Sequence, residues 1–437
     1  MTRRRAVQAA LLLATAAVAL VVALRTIPFA SSQRDTARFR GMHDIAARGV
    51  RFYDRRTGEA FVARGWNYVR LGRQQTAGGP IVYHTTFNVG SYEAARAGRA
   101  LRAMGAAGYD VVRVFMNAVC LRDCLVDPRS GELSRAYLEN VTDFLRRANA
   151  AHLHVLLTID HIPSSGRYGA LLRSGDTPRV AGVNLVFLTG GGVRASAAFW
   201  HDLVGTLAGL GAPLQAVLGY ELQNEVTVAT GLPPLSLRSG TVRSPSGRVY
   251  RLASATARRR LLADALLHWI GATRTAIRTV DPTALVGIGF AQPLDPGSPR
   301  TLLARAAIER SRADFVDVHA YPGVGEPFPR YATEAGFAAS RKPLLMGELG
   351  AFKAIYPTAV AARNALEAQI LESCPYRFAG WVAWSWNTKD QPELWNARSS
   401  GGALEHALAP QAWPDPCAHA ATPASSSTLP STTSESK

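Results

Sequence analysis

Eight short apolar runs alternate with amphipathic stretches between residues 36 and 417, and this alternation constrains the fold more than any other feature of the chain. The runs are typical of strands buried on both faces, and the stretches between them have helical periodicity. The predicted strands are Phe61–Val69, Asp110–Met116, Leu153–Ile159, Ala216–Leu222, Leu285–Phe290, Phe315–Ala320, Pro343–Glu348 and Gly380–Trp386. The predicted helices are Tyr92–Ala107, Ser134–Ala151, Ala195–Leu210, Ala255–Val280, Arg300–Ser311, Tyr331–Ser340 and Pro357–Glu372. This pattern favours a single (β/α)8 barrel, the TIM-barrel class of α/β fold, over an open sheet.

Three long insertions interrupt the alternation, at about 70–91, 162–194 and 227–254. They follow the first, third and fourth strands. In a barrel all three therefore lie on the rim formed by the carboxyl ends of the strands, where barrel enzymes hold their active sites. A glycine cluster at 190–192 in the second insertion is interpreted as a flexible turn rather than a nucleotide site.

The two ends of the chain differ from the barrel region. Three arginines, Arg3 to Arg5, precede an apolar run over 6–24, which is the pattern of an export signal. The run is also long enough to span a bilayer, so residues 1–30 are predicted to be a signal peptide or an N-terminal membrane anchor, with a buried helix as the alternative. Residues 36–417 form the predicted catalytic domain, and the Ser/Thr/Pro-rich tail over 418–437 lacks the apolar residues of a core. We expect an exported protein: secreted, periplasmic, or associated with the outer face of a membrane through residues 6–24.

Charge and cysteine content exclude other classes of protein. The net charge is +17, but only four of the 49 cationic residues are lysines, and the arginines are scattered rather than clustered. No nucleic-acid recognition motif accompanies them, so an arginine-rich solvated surface is favoured over a nucleic-acid partner. The four cysteines suit an exported protein with up to two disulfides. Cys374 and Cys417 can tie the C-terminal segment to the barrel, Cys120 and Cys124 lie four residues apart, and the sequence does not choose among the three pairings. No spacing of a zinc site is present, so no metal is predicted.

Polar side chains gather where the predicted strands end. They are Arg113 and Asn117 on strand two, Asp160 and His161 after strand three, Gln223, Asn224 and Glu225 after strand four, His319 and Tyr321 after strand six, Glu348 on strand seven, and Trp384, Ser385, Trp386 and Asn387 on strand eight. Each residue type alone is more often structural. Their joint placement predicts one pocket, because strand ends converge in a closed barrel.

Two of these residues carry the chemistry of glycoside hydrolysis. In a retaining enzyme one carboxyl group protonates the leaving oxygen while another, roughly 5 Å away, attacks the anomeric carbon. Glu225 and Glu348 are the predicted pair, since strands four and seven face one cavity. We expect Arg113 to keep Glu348 ionised and Glu225 to be the less solvated, protonated partner. Trp384 offers a flat apolar face for a sugar ring, and Tyr321 can donate a hydrogen bond to Glu348.

These motifs resemble clan A of the glycoside hydrolases, most closely the family 5 cellulase-like enzymes. The matching stretches are GYDVVRVFMN (108–117), LLTIDHI (156–162), LGYELQNE (218–225), DFVDVHAYPG (314–323), KPLLMGELG (342–350) and GWVAWSWNTK (380–389). The resemblance implies Glu225 as acid/base and Glu348 as nucleophile in the double-displacement cleavage of a β-linked glycan, of β-glucan or β-mannan type, without a cofactor. It further implies substrate-binding roles for Arg113, His161, Asn224, His319, Tyr321, Trp384, Asn387 and Lys389, with Asn224 on the sugar 2-hydroxyl.

The chain departs from the family pattern at two points. Val226 follows the acid/base where proline is common, and the DHIP segment (160–163) matches loosely. Two alternatives stay open. The anchor-like N-terminus and Val226 are compatible with a non-catalytic carbohydrate-binding barrel at the cell surface. A transglycosylase would use the same two glutamates, with a sugar in place of water as the acceptor.

Overall fold

The computed structural model describes residues 42–76, 79–117, 124–127, 130–174, 180–295 and 297–418, with only the backbone described for 73–76 and 79–83. Its centre is a nine-segment parallel sheet that closes on itself. The barrel strands are Ala63–Asn67, Val111–Met116, His154–Ile159, Val217–Glu221, Val286–Gly287 with Gly289–Ala291, Val316–His319, Leu344–Leu349 and Gly380–Ala383. The predicted (β/α)8 barrel is confirmed, and each predicted strand overlaps one of these strands, although the fifth and seventh strands extend one residue beyond the prediction, to Ala291 and Leu349.

The fifth barrel strand is divided into two short segments, and these close the barrel. Val286–Gly287 pairs with the fourth strand, and Gly289–Ala291 pairs with the sixth. Ile288 lies between the two segments, and its carbonyl oxygen accepts a 2.9 Å hydrogen bond from the Asp317 amide. The break therefore interrupts the strand without opening the barrel.

Helices follow the strands on the outside, as predicted. The α-helices are Ala94–Ala106, Arg135–Ala150, Gly166–Leu172, Leu185–Leu188, Gly190–Gly209, Ala255–Arg278, Pro299–Arg310, Phe328–Ala335, Ala359–Ser373 and Ala403–Leu408. Short 3-10 helices lie at Gly182–Asn184, Leu214–Ala216, Phe337–Ala339, Cys374–Tyr376 and Ser399–Gly402. Their apolar faces and the outer faces of the strands form the largest buried cluster.

The insertions form additional elements on the rim at the carboxyl ends of the strands. The first contains a hairpin of Leu71–Thr76 and Gly79–His84, and the third contains one of Thr241–Arg243 and Val249–Arg251. The flexible turn predicted at residues 190–192 is wrong, because these glycines begin helix Gly190–Gly209. The Thr189 hydroxyl caps this helix by accepting a hydrogen bond from the Gly192 amide.

The opposite end of the barrel is closed by apolar side chains. A small antiparallel sheet of Ile45–Arg48, Arg51–Asp54 and Ala60–Phe61 covers it, and Phe52 packs edge-on against Phe315 of the barrel interior. Solvent therefore has access to the barrel interior from the rim that carries the insertions, which is the rim predicted to hold the site.

One predicted cysteine pair is present as a disulfide. Cys374 and Cys417 are bonded, which ties the C-terminal segment to the helix that precedes the eighth strand. Cys120 lies outside the described residues, and none of the described cysteines is a free thiol.

Membrane association is not addressed by the described residues. The apolar run over 6–24 lies outside them, as do the signal or anchor segment and the tail beyond residue 418. Within the described ranges, no helix is both long enough and apolar enough to cross a membrane.

Candidate active site

A fully buried arginine lies at the centre of the barrel rim. Arg113 Nε and Nη2 donate to the two carboxylate oxygens of Glu221 at 2.9 and 3.1 Å. Nη1 donates to Asn67 Oδ1 at 3.0 Å and to Glu348 Oε1 at 2.7 Å, and Nη2 donates to Asn224 Oδ1 at 2.7 Å. Burial alone would lower the pKa of Arg113, but the surrounding carboxylates raise it, so the guanidinium keeps its charge.

A β-bulge in the seventh strand points Glu348 into the barrel. Leu345 of this strand lies in the apolar interior and pairs with Asp317, whereas the next pair joins Glu348 to His319. Three residues of the seventh strand therefore span the distance that two residues of the sixth strand span. The extra residue breaks the strict alternation of faces and places Glu348 beside Arg113.

Both oxygens of Glu348 are held by hydrogen-bond donors. Arg113 donates to Oε1, and the Tyr321 hydroxyl donates to Oε2 at 2.7 Å. This agrees with the two contacts predicted from the sequence. Burial raises the pKa of Glu348, an effect that the nearby positive charges of His319 and Arg113 only partly offset.

Glu225 has a left-handed backbone conformation, with φ of +44°. This conformation is uncommon for a residue other than glycine and is found most often at functional sites. Hydrogen bonds on both sides hold it in place: the Asn224 amide donates to Ile159 O at 2.7 Å, and the Val226 amide donates to Gly289 O at 2.9 Å. A proline at position 226 would lack that second bond, so this departure from the family pattern helps to hold the backbone of Glu225.

The two predicted glutamates meet across the site. Ligand atoms of Glu225, His319 and Glu348 all lie within 4.8 Å of one another. His319 Nδ1 is 3.1 Å from Glu225 Oε1 and 3.6 Å from Glu348 Oε2. An oxygen of Glu225 and an oxygen of Glu348 therefore lie within 4.8 Å of each other, with His319 beside both.

The order of the two pKa values differs from the prediction. Burial alone would raise the pKa of Glu225, but the hydrogen bond and positive charge of His319 outweigh it and lower that pKa. Burial would lower the pKa of His319, but Glu348, Asp317 and Glu225 raise it well above 6.5. This order is opposite to the predicted one, in which Glu225 is the protonated partner, because the charge of His319 favours the ionised form of Glu225. The glutamate side chains also differ in exposure, at 35% for Glu225 and 7% for Glu348.

A second carboxyl pair lies beneath the first and was not predicted. Glu221 and Asp317 are buried against Arg113, and two glycines make room for them. A Cβ on Gly289 would lie 2.1 Å from Glu221 Oε1, and one on Gly347 would lie 1.9 Å from Asp317 Oδ2. Burial raises the pKa of Glu221 to about 8, whereas the hydrogen bond and charge of His319, followed by the charge of Arg113, outweigh burial and lower the pKa of Asp317. Of the two buried acids, Glu221 therefore has the higher pKa.

An aromatic corner forms one wall of the site. The ring of His84, from the hairpin of the first insertion, stacks on Phe115 at 3.8 Å, and the Trp384 ring meets both edge-on at 6.2 and 5.7 Å. Trp384 Nε1 donates to Gln391 Oε1 at 2.6 Å, which fixes the indole. Asp160 lies beside this corner, where it contacts His84 and Asn224.

His161 is not brought into this arrangement. Leu156 packs inside the barrel, and Asp160 has the same parity along the third strand and its extension. His161 has the opposite parity and is exposed, and none of the contacts found within the described ranges joins it to either glutamate. Asp160 and the hairpin residue His84 lie at the site in the position that was predicted for His161.

Asn387 and Lys389 lie on the outer side of the eighth strand. They line a cavity of about 780 Å³ between the segment after that strand and helix Ala94–Ala106, together with Arg70, Arg96 and Arg99. In the part of the chain that is described, no hydrogen bond joins either residue to the glutamate pair. Their predicted contacts with substrate hydroxyls remain a prediction.

Two groups of acidic and histidine side chains are close enough to hold a metal ion. They are Glu221, Asp317 and His319, and Glu225, His319 and Glu348. The first already surrounds a cation, because Arg113 Nε lies 2.9 Å from Glu221 and 3.4 Å from Asp317. In the second, the charged imidazole of His319 neutralises the two carboxylates. Both groups thus have a cationic partner within the protein.

The geometry defines a barrel with a carboxyl pair at its catalytic rim, and solved structures share this fold. An endo-β-1,4-mannanase from Thermotoga petrophila matches with a TM-score of 0.53 and 14% identity over 80% of this chain and 77% of its own. An exo-β-1,4-mannosidase from an Opitutaceae bacterium (strain TAV5) matches with a TM-score of 0.50 and 17% identity over 82% of this chain and 60% of its own. A GH5_18 protein from Bifidobacterium longum subsp. infantis matches with a TM-score of 0.50 and 17% identity over 81% and 79%.

These similarities identify the fold. The chain shares the (β/α)8 barrel of these solved structures, which is the fold that its motifs predicted. It spans 60% of the length of the Opitutaceae mannosidase. No family model matches the chain, and no curated protein does so.

The buried pair of Glu221 and Asp317 predicts a pH dependence of stability. A carboxyl group with a higher pKa in the folded state binds more protons there, so its contribution to stability is lost as the pH rises from the unfolded value of 4.5 toward about 8. The Glu221→Gln variant has an amide that does not titrate, so it should escape this loss. We expect the Tm of the variant to rise relative to wild type by roughly 2 °C or more across this pH range.

Thermal unfolding followed by circular dichroism at several pH values measures this difference. Glu372→Gln is the control, because Glu372 is exposed on a helix, and its Tm should follow that of wild type. Parallel curves for Glu221→Gln and wild type would show that Glu221 does not hold the proton.

Proposed function

We propose that this protein is a retaining glycoside hydrolase that cleaves a β-linked glycan. The observation that carries the proposal is the approach of Glu225 and Glu348 to within 4.8 Å around His319 at the catalytic rim of the barrel. The fold shared with family 5 enzymes supports it, and so does the agreement of two predicted contacts of Glu348 with the geometry. The reaction needs no cofactor.

In the first step Glu348 attacks the anomeric carbon. The bond from that carbon to the leaving oxygen breaks, and Glu225 supplies a proton to that oxygen. A glycosyl ester on Glu348 results. When this ester is cleaved in the second step, Arg113 and Tyr321 stabilise the negative charge that returns to the Glu348 carboxylate. In the second step water attacks the ester, gives its proton to Glu225 and releases Glu348 as a carboxylate.

His319 supplies the proton that Glu225 lacks in the free site. Its Nδ1 is 3.1 Å from Glu225 Oε1, so one proton can move between them without rearrangement. A bound sugar excludes water from the partly exposed Glu225, which favours the neutral carboxylic acid over the carboxylate. We therefore assign His319 and Glu225 as a pair that holds one proton for the leaving group.

The substrate belongs to the β-glucan or β-mannan type. The structurally similar protein from Thermotoga petrophila is an endo-β-1,4-mannanase, and the one from the Opitutaceae bacterium is an exo-β-1,4-mannosidase. Aryl β-mannosides and aryl β-glucosides are thus the first substrates to test. Export and retention at a membrane through residues 6–24 are part of the proposal, on the basis of the basic and apolar N-terminal pattern.

Azide rescue distinguishes the roles of the two glutamates. With an aryl β-glycoside that has a good leaving group, Glu348→Ala should lose at least about a thousandfold in kcat/KM, because no nucleophile remains. Azide should then occupy the vacated space and give the α-glycosyl azide. In Glu225→Ala the ester on Glu348 still forms, and azide should give the β-glycosyl azide instead.

The two products are told apart by proton NMR of the anomeric signal. Glu372→Ala, an exposed substitution, is the control for expression and folding and should keep wild-type turnover. Unchanged hydrolysis by Glu348→Ala, or the same azide anomer from both variants, would reject the assignment.

The pH profile tests the shared proton. Activity should fall on the acidic side as Glu348 is protonated, at a pKa raised above 4.5 by burial. On the alkaline side it should fall when the pair of His319 and Glu225 loses its proton, at a pKa well above 6.5. Without the imidazole only Glu225 can hold this proton, so His319→Gln should move the alkaline limb of kcat/KM to lower pH by roughly one unit or more. An alkaline limb at the wild-type position in His319→Gln would contradict the role of His319.

A further inference from the structure

Asp160 bridges the sugar-binding amide of Asn224 and the hairpin residue His84. Its Oδ1 accepts a hydrogen bond from Asn224 Nδ2 at 3.0 Å, and its Oδ2 lies 3.3 Å from His84 Nε2. Its side chain is 41% exposed, whereas Arg113 is fully buried. Asp160 therefore has both oxygens fixed by protein groups and is open to the cleft.

The contacts of Asn224 determine what lies next to Asp160. Asn224 Oδ1 accepts from Arg113, so its Nδ2 faces Asp160 and keeps one hydrogen for a ligand. Under the proposed function that hydrogen binds the 2-hydroxyl of the sugar whose bond is cleaved. C1 of this sugar lies at the glutamate pair, so the ring continues from C2 to C3 beyond Asn224. The hydroxyl that follows the 2-hydroxyl in this direction is the 3-hydroxyl.

His84 reaches Asp160 from the hairpin of the first insertion. Its ring is held by the 3.8 Å stack on Phe115 and by the edge of Trp384. Burial lowers the pKa of His84. Its Nε2 lies 3.3 Å from Asp160 Oδ2, so the tautomer protonated at Nε2 has Asp160 as its partner. This contact leaves other lone pairs of Asp160 available as acceptors.

We propose that Asp160 accepts a hydrogen bond from the 3-hydroxyl of the sugar at the cleavage site, and that His84 is the positioning residue that holds Asp160 for this contact. The inference rests on the proposed function and refines its substrate class. A sugar linked or substituted at O3 has no hydroxyl hydrogen to donate there. The site thus disfavours a sugar that is substituted at O3, as in internal cleavage of a 3-linked chain, and accepts one with a free 3-hydroxyl, as in a 4-linked β-glycan.

The test compares an aryl β-glycoside with its 3-deoxy and 6-deoxy analogues on wild type and Asp160→Ala. In wild type, loss of the 3-hydroxyl should reduce kcat/KM roughly 10- to 100-fold, because a hydrogen bond to a carboxylate is lost. In Asp160→Ala the reference glycoside should be cleaved more slowly. The 3-deoxy penalty, which is the ratio of kcat/KM for the reference glycoside to that for its 3-deoxy analogue, should shrink to within about threefold. The 6-deoxy penalty should be the same in both proteins.

Variants of His84 separate positioning from packing. His84→Gln keeps a donor for Asp160 and should retain the 3-deoxy penalty, whereas His84→Phe keeps an aromatic ring without the donor and should lose much of it. His268→Phe, on an exposed helix face, is the matched control and should behave as wild type. A merely structural role for His84 would change turnover without changing the ratio between the two substrates.

The outcomes separate this inference from the proposed function. A 3-deoxy penalty equal in wild type and Asp160→Ala, or absent from wild type, would overturn the role of Asp160 while hydrolysis itself stands. Efficient internal cleavage of a 3-linked β-glycan would also overturn it. If wild type cleaves none of the aryl glycosides, the proposed function fails, and this inference fails with it.

Discussion

The ion pair between Arg113 and Glu348, at 2.7 Å inside the barrel, is the interaction on which the site depends. A buried guanidinium is stable only when all its donors have acceptors, and removal of one partner leaves an uncompensated charge. Arg113 meets this demand through Glu221, Asn67, Asn224 and Glu348. The same bonds hold the proposed nucleophile, Glu348, and the amide of Asn224 in one hydrogen-bonded unit. The protonation of Glu221 then limits the excess of negative charge beneath the site.

Irregular backbone at three places brings the functional side chains to this cation. The bulge in the seventh strand turns Glu348 inward, and the left-handed conformation of Glu225 directs its carboxyl group toward His319. The hairpin of the first insertion brings His84 to the aromatic corner. Regular strands supply the frame, while these departures from regularity set the distances between reacting groups. The imidazolium of His319 then links the two glutamates electrostatically, which makes their protonation a property of the group rather than of either residue.

Much of the frame could be predicted from the sequence, because a parallel barrel places every strand end on one rim. The eight strands and the contacts of Arg113 and Tyr321 with Glu348 follow from the pattern of strand ends, whereas the pairing of Cys374 with Cys417 was one of three that the sequence left open. Asp160 faces the site in place of the predicted His161, and this difference is a shift of one residue at the end of the third strand. His84 lies in an insertion, and the path of an insertion cannot be predicted from local sequence. The pKa order of the two glutamates depends on His319, which is 94 residues from Glu225 in the chain. In the sequence, Gly289 and Gly347 could have indicated the second carboxyl pair, because a glycine in a strand often marks a place where a neighbouring group approaches closely.

The central claim is that Glu225 and Glu348 lie close enough for a double displacement rather than a single attack by water. Proton NMR of the anomeric signals during the first minutes of hydrolysis of an aryl β-glycoside tests it most directly. The account predicts that the β-anomer of the released sugar appears first and then equilibrates with the α-anomer. Initial release of the α-anomer would show a single inversion and would contradict the account.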